Sequence, residues 1–368
     1  MLNVLTVFGT RPEAIKMCPL VLEIEKSDEL NSIVCVTGQH RSMLDQVLEI
    51  FHVKPDYDLQ IMKPRQTITS ITTDVLTTIE PVLEEAKPDV VLVHGDTTTS
   101  MAAAMAAFYK QIPVGHVEAG LRTHNIYSPF PEEMNRKIIS AIATYHFAPT
   151  ENNKAALVAE GIKEGIAVTG NTVIDAFQYT TSNDYVFKNE DLKNHDFSEP
   201  TVILTAHRRE NLGEPLKNIC QAVNELTEKF PELKFVYPVH LNPAVREVVF
   251  EELGDNKNVT LTDPVDVQDL HNAMDRCKLV MTDSGGLQEE APHLGKPVIV
   301  LRTETERPEA VAAGTAVVAG VDKDNIVKIV SELLESDKKY SQMSKAVNPY
   351  GDGTASKQIV EFLKKLDK

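Results

Sequence analysis

The sequence predicts an α/β protein made of two doubly wound parallel sheets, and three observations predict it. Short runs rich in Val and Ile recur along the chain. They lack the period-2 alternation of a strand with one wet face, as strands buried on both faces do. Longer helical patterns separate them and supply the crossovers that parallel pairing demands. With 368 residues, the chain is long enough for two cores.

The first strand is read at Val4–Phe8, with a helix starting near Pro12, a residue suited to the first helical turn. Further strands are expected at Ile33–Thr37, Val90–His94, Val114–Glu118, His146–Pro149 and Ala167–Thr169. Gly170–Asn171 is taken as the crossing between domains, giving a first domain of residues 1–170 and a second of 171–353. Ser182–Pro200 breaks the rhythm with Asn, Asp, Lys and Glu and reads as a polar connection. The second set of strands follows at Thr201–Thr205, Lys234–Pro238, Val259–Thr262, Leu279–Thr282, Pro297–Leu301 and Ala316–Ala319. Ser356–Leu366, after the Asn348–Gly353 turn, reads as an amphipathic helix, within a closing segment of about residues 354–368. Both halves are therefore Rossmann-like.

A formal net charge of −17 argues against a nucleic-acid partner, which needs a basic face. It leaves room for one phosphorylated small molecule held by a local cluster of Arg and His. The four cysteines are scattered and never spaced as CxxC, as expected for reduced thiols in the cytoplasm. No apolar run approaches a membrane span, and the first residues read as a strand without the basic region of a signal peptide.

Four segments carry chemistry. Gly9-Thr10-Arg11-Pro12-Glu13-Ala14-Ile15-Lys16 follows the first strand, where exposed amides, the helix dipole, Arg11 and Lys16 attract anions. No GxGxxG fingerprint occurs, which weakens a nicotinamide reading. The second segment set is acidic: Asp96, Glu118, and the Glu132–Glu133 pair stand at or beyond the ends of successive strands. Carboxyl ends of neighbouring parallel strands converge on one crevice, and clustered carboxylates suit general acid–base work. A metal site is the competing reading, and no His pair at i, i+4 supports it. Third, Ala206-His207-Arg208-Arg209-Glu210-Asn211 and Tyr237-Pro238-Val239-His240-Leu241-Asn242 bring two His and two Arg to strand ends, a plausible diphosphate clamp. Fourth, in Thr282-Asp283-Ser284-Gly285-Gly286-Leu287-Gln288-Glu289-Glu290, Ser284 can cap a helix whose first amides approach a phosphate, and Glu290 can reach a ribose diol.

These residues resemble the non-hydrolysing UDP-N-acetylglucosamine 2-epimerases over essentially the whole length. The matching segments are Phe8–Pro19, Val90–Thr99, Pro113–Thr123, Tyr127–Arg136, Thr169–Asp175, Ala206–Glu210, Tyr237–Asn242, Thr282–Pro292, Thr305–Glu309 and Asn348–Gly353. The resemblance implies a glycosyltransferase-B-like fold, with the active site in the interdomain cleft and the last helix packing back on the first domain. It implies interconversion of UDP-N-acetylglucosamine and UDP-N-acetylmannosamine in a cytoplasmic homodimer that supplies envelope or capsule polysaccharide, with no cofactor and no metal. Position by position, Arg11, Lys16, Asp96, Glu118, Glu132 and His207 match the family's reaction centre. Ser284, Gly285, Gly286, Glu290 and Arg307 match its UDP contacts, with the Val265–Leu270 region contributing backbone groups. Some bacterial members bind a second UDP-N-acetylglucosamine as an activator. Gln39, His40, Arg65, Arg208 and His240 match those allosteric positions, while Ser42 departs from the glutamine of regulated members. Three alternatives stay open: a UDP-sugar-dependent glycosyltransferase of the same fold, a silent UDP-sugar sensor, and a hydrolysing epimerase.

Overall fold

A computed structural model describes residues 1–39 and 41–366 of the chain. The chain divides into two compact units: the first takes residues 1–179 and returns at Tyr350, and the second takes residues 180–349.

Among the described residues of the first unit, seven strands form one sheet. They are β1 (Leu2–Phe8), β2 (Leu30–Val36), β3 (Tyr57–Asp58), β4 (Val90–His94), β5 (Val114–Val117), β6 (Tyr145–Ala148) and β7 (Ile166–Val168). Their order is β3-β2-β1-β4-β5-β6-β7, and every pairing is parallel. Alternate residues of β1 explain the unbroken apolar run. Val4 and Phe8 pack with helices Arg11–Glu25 and Arg41–Phe51 on one face, whereas Leu5 and Val7 pack with Ile68–Ala86 and Thr98–Tyr109 on the other.

The second unit repeats the plan with β8 (Thr201–Thr205), β9 (Lys234–Pro238), β10 (Val259–Thr262), β11 (Leu279–Thr282), β12 (Val298–Val300) and β13 (Ala316–Val318). The order is β10-β9-β8-β11-β12-β13, again parallel throughout. Helices Glu214–Lys229, Pro243–Leu253 and Lys323–Leu334 cover one face around Leu204, Phe235, Tyr237 and Met281. Each strand expected from the sequence is present, although β1 begins at Leu2 rather than Val4 and β2 at Leu30 rather than Ile33.

Two segments differ from the sequence reading. The chain leaves the first unit after Tyr179 rather than at Gly170–Asn171, because Val173, Ile174, Ala176 and Phe177 are buried there. Ser182–Pro200 is a packed segment, not a plain polar connection. It contains helix Glu190–Asn194 and an aromatic group in which Phe187 meets Tyr185 edge-on and stacks on Phe197. Asp269 ties it down, accepting from Tyr185 Oη, Lys188 N and Asn189 N.

Helix Ala355–Leu363 belongs to the first unit, where Ile359, Val360 and Leu363 join the core. Asp175 caps it by accepting from the amides of Ala355 and Ser356. Gly170 has φ 84°, and a Cβ there would lie 3.0 Å from the Tyr350 carbonyl oxygen, so the passing strands of backbone require glycine. Among the described residues, no helix is long and apolar enough to cross a membrane.

Candidate active site

In each sheet the strand order reverses beside the first strand of the unit, between β1 and β4 and between β8 and β11. Ligands of open α/β sheets bind outside the carboxyl ends of the strands at such a point. Lys16, Asp96, His207 and Ser284 follow the strands that flank these points, β1, β4, β8 and β11.

In the first unit, β1 ends at Phe8 and helix Arg11–Glu25 begins with Arg11. Glu13 holds the turn between them: its Oε2 accepts from the amides of Gly9 and Thr10 and from Thr10 Oγ1. Its Oε1 accepts from Thr97 Oγ1 and Ser100 Oγ, so one buried carboxylate joins the turns after β1 and β4. A Cβ on Gly9 would lie 1.9 Å from Thr37 Oγ1, so a larger residue there must displace that buried side chain.

Glu118 follows β5 with φ 64°, in the left-handed region. Lys16 Nζ donates to its Oε1 at 2.8 Å and to Oε2 at 2.6 Å, and His94 Nε2 stands 2.7 Å from Oε2. Burial pushes the Glu118 carboxyl up, but Lys16 and His94 outweigh that and hold it well below the usual carboxylate range. A Cβ on Gly95 would lie 3.7 Å from Glu118 Oε2, so the carboxylate packs against the turn that carries Asp96. Asp96 in turn accepts from Arg136 Nη2 at 2.5 Å, while its carbonyl accepts from Asn135 Nδ2 at 2.9 Å.

Asn135 and Arg136 belong to helix Glu132–Ile142, whose first residue is Glu132. Glu132 Oε2 is buried without a hydrogen-bond partner among the described residues. Glu133 has another place: fully buried, it accepts from the amides of Thr123 and His124 and from Arg136. The structure thus gathers Lys16, Asp96, Glu118 and the Glu132 helix and sets Glu133 to hold a loop.

In the second unit, Asp283 follows β11, and its Oδ2 accepts from the amides of His207 and Arg208, both at 2.8 Å. His207 stacks on His240 with ring centroids 5.0 Å apart and planes at 10°. Burial lowers the His207 pKa, and His240 and Arg208 add to that while Asp283 opposes it. Ser284 stands at the cap position of helix Gly285–Glu290, but its hydroxyl makes no capping bond, contrary to the role expected of it. Its amide instead donates to Thr282 Oγ1. The Arg307 guanidinium lies over the glycine turn, 3.6 Å from where a Gly285 Cβ would be, and its Nε donates to Glu289. Glu290 lies within reach of Gly286 and pairs with His271 Nε2 at 3.3 Å. Val265 lies in the loop after β10 and Leu270 on helix Val267–Arg276, both half-buried.

The positions matched to allosteric contacts divide between the two units. Gln39 Oε1 accepts from Thr99 Oγ1, Arg65 is exposed with φ 59°, and Arg208 and His240 belong to the second unit. His40 and the Ser42 side chain lie outside the described residues. Among the described residues, no group of three or more His, Cys, Asp or Glu is placed to hold a metal ion.

Sequence reasoning passed over Glu13, His94, Arg136 and Asp283. The usable signals were their positions: His94 and Asp283 flank strand ends, and Arg136 lies one helical turn beyond Glu132.

The family model described as UDP-N-acetylglucosamine 2-epimerase matches residues 22–364. The UDP-N-acetylglucosamine 2-epimerase of Bacillus subtilis strain 168 is 55% identical over 363 residues, covering 98% of this chain and 95% of its own. That of Escherichia coli K12 is 51% identical over 372 residues, covering 99% and 98%. The crystal structure of UDP-GlcNAc 2-epimerase from Neisseria meningitidis bound to UDP-GlcNAc superposes with a TM-score of 0.90 at 50% identity, covering 99% of this chain and 100% of that one. Fold, length and sequence agree, and the chain belongs to the UDP-N-acetylglucosamine 2-epimerase family.

Proposed function

We propose that this isomerase interconverts UDP-N-acetylglucosamine and UDP-N-acetylmannosamine by eliminating UDP, forming a glucal intermediate and adding UDP back. The observation that carries this reading is the Lys16–Glu118–His94 cluster packed against the Gly95–Asp96 turn. The C2 hydrogen of the sugar is not acidic while C1 remains bonded to the diphosphate. As that bond breaks, positive charge develops at C1 and the C2 proton becomes removable. A carboxylate takes it, leaving a C1–C2 double bond and the UDP anion. Return of a proton to the other face of C2, with re-formation of the C1–O bond, gives the epimer.

Asp96 and Glu132 are the acid–base pair, one for each face. Glu118 orients, since a carboxylate held ionised with both oxygens occupied is a weak base. Arg11, Lys16 and His207 meet the departing diphosphate. Arg307 and the Ser284-Gly285-Gly286 turn add to its stabilisation. Glu290 takes the ribose, and backbone groups near Val265 and Leu270 face the base. Gln39, His40, Arg65, Arg208 and His240 bind a second UDP-N-acetylglucosamine as activator. The enzyme works as a cytoplasmic homodimer feeding cell-envelope or capsule polysaccharide synthesis. Its four buried free cysteines support a reducing compartment.

The test is incubation with UDP-N-acetylglucosamine in D₂O without any acceptor. Deuterium at C2 of intact UDP-sugar, in both epimers, is expected. Release of free sugar would identify a hydrolysing enzyme, and no exchange without an acceptor would point to a transferase or a silent UDP-sugar sensor.

A further inference from the structure

Asp283 is fully buried and spends only one of its two oxygens. Oδ2 accepts three hydrogen bonds, from the amides of His207 and Arg208 and from Asn211 Nδ2 at 3.0 Å. Oδ1 is equally buried, has no hydrogen-bond partner among the described residues, and faces His207 Nδ1 across 3.9 Å. Buried carboxylate oxygens are normally matched, so an unmatched one aimed at a titratable ring needs a reason. The ring itself is held flat against His240, and much of it stays open to solvent.

We propose that Asp283 is a positioning residue for His207. It fixes the 206–208 turn, and its spare oxygen takes the Nδ1–H of the imidazolium formed when a nucleoside diphosphate meets the other ring nitrogen. This rests on reading the second unit as the UDP-binding half and adds the protonation event that accompanies binding. The proton comes from solvent: neutral His207 gains one proton and one positive charge, and no other bond is made or broken. The charged and titratable groups facing the ring are Asp283, His240 and Arg208. Burial lowers the pKa of the unliganded ring, with His240 and Arg208 adding to that. An anion at the outer edge reverses the balance, and Asp283 Oδ1 then completes a carboxylate–imidazolium–phosphate row.

The experiment is calorimetry of UDP binding near neutral pH in two buffers of different ionisation enthalpy, which counts protons taken up per UDP bound. The wild type is expected to take up a measurable fraction of a proton. Asp283→Asn keeps one oxygen for the two amides but turns an N–H toward Nδ1. It should abolish uptake and weaken UDP binding about tenfold to a hundredfold, the range for a charge-assisted hydrogen bond. His207→Gln should also abolish uptake, and the double variant should bind no worse than the weaker single one. Wild-type uptake and affinity in Asp283→Asn, or uptake that survives His207→Gln, overturns the proposal. Tight UDP binding by the wild type without uptake overturns it alone, whereas no UDP binding at all overturns the reading of the second unit with it. Should Asp283→Asn not fold, nitrogen chemical shifts of the wild-type ring decide. A protonated, carboxylate-bonded Nδ1 in the UDP complex supports the proposal, and a neutral ring overturns it.

Discussion

Lys16 Nζ bridges both carboxylate oxygens of Glu118, at 2.8 and 2.6 Å, from a helix that follows β1 to a residue that follows β5. Both side chains are largely withdrawn from water, so each charge depends on the other. Glu118 has a folded-state pKa below its unfolded one. Its contribution to stability is therefore fully present above the ordinary carboxylate pKa and lost as pH falls through the depressed value. Lys16→Met should cost about 3–5 kcal/mol near neutral pH, as breaking a buried pair does. That difference should shrink in urea melts taken below about pH 4, the ordinary carboxylate pKa. A loss that stays constant with pH would assign Lys16 to packing instead.

Asp96→Asn should leave UDP binding intact while turnover falls about 10²–10⁴-fold, the usual worth of a general acid or base. C2 deuterium exchange and UDP titration on the same preparation read the two effects separately. Unchanged turnover removes Asp96 from the mechanism.

Glu13→Gln should destabilise the first unit by about 2–3 kcal/mol, because an amide nitrogen would replace an oxygen that now accepts hydrogen bonds. Chemical denaturation measures it. A wild-type midpoint would show that the turns after β1 and β4 stand without their shared carboxylate.

Phe362 touches Tyr145 and Phe147 edge-on, with centroids 5.5 and 5.3 Å away. Phe362→Ala should cost up to about 3 kcal/mol, the low end for this change because the ring is half-buried. Amide exchange should quicken first in helix Ala355–Leu363. Equal quickening throughout the first unit would contradict a local anchoring role.

The parts of the molecule legible in the sequence are those where one physical rule acts alone. Val90–His94 is read correctly because a strand buried on both faces must be apolar throughout. The two residues of β3, Tyr57–Asp58, are too short to show any period. Tyr185, Phe187 and Phe197 are spaced irregularly among polar residues, so the packing they make inside Ser182–Pro200 leaves no periodic trace. At the site, carboxylates at strand ends follow from topology. Their cationic partners do not, since Arg136 reaches Asp96 from 40 residues away and Lys16 reaches Glu118 from 102. Such pairings are decided by the approach of elements in space.

Helix Ala355–Leu363 completes the core of the first unit, yet it is synthesised after the whole of the second. Throughout that interval the nascent chain carries an uncovered greasy groove formed by Tyr145, Phe147 and the flank of helix Arg11–Glu25. Assembly on the ribosome therefore ends where it began, because the N-terminal half gains its last core element only when translation delivers the final helix.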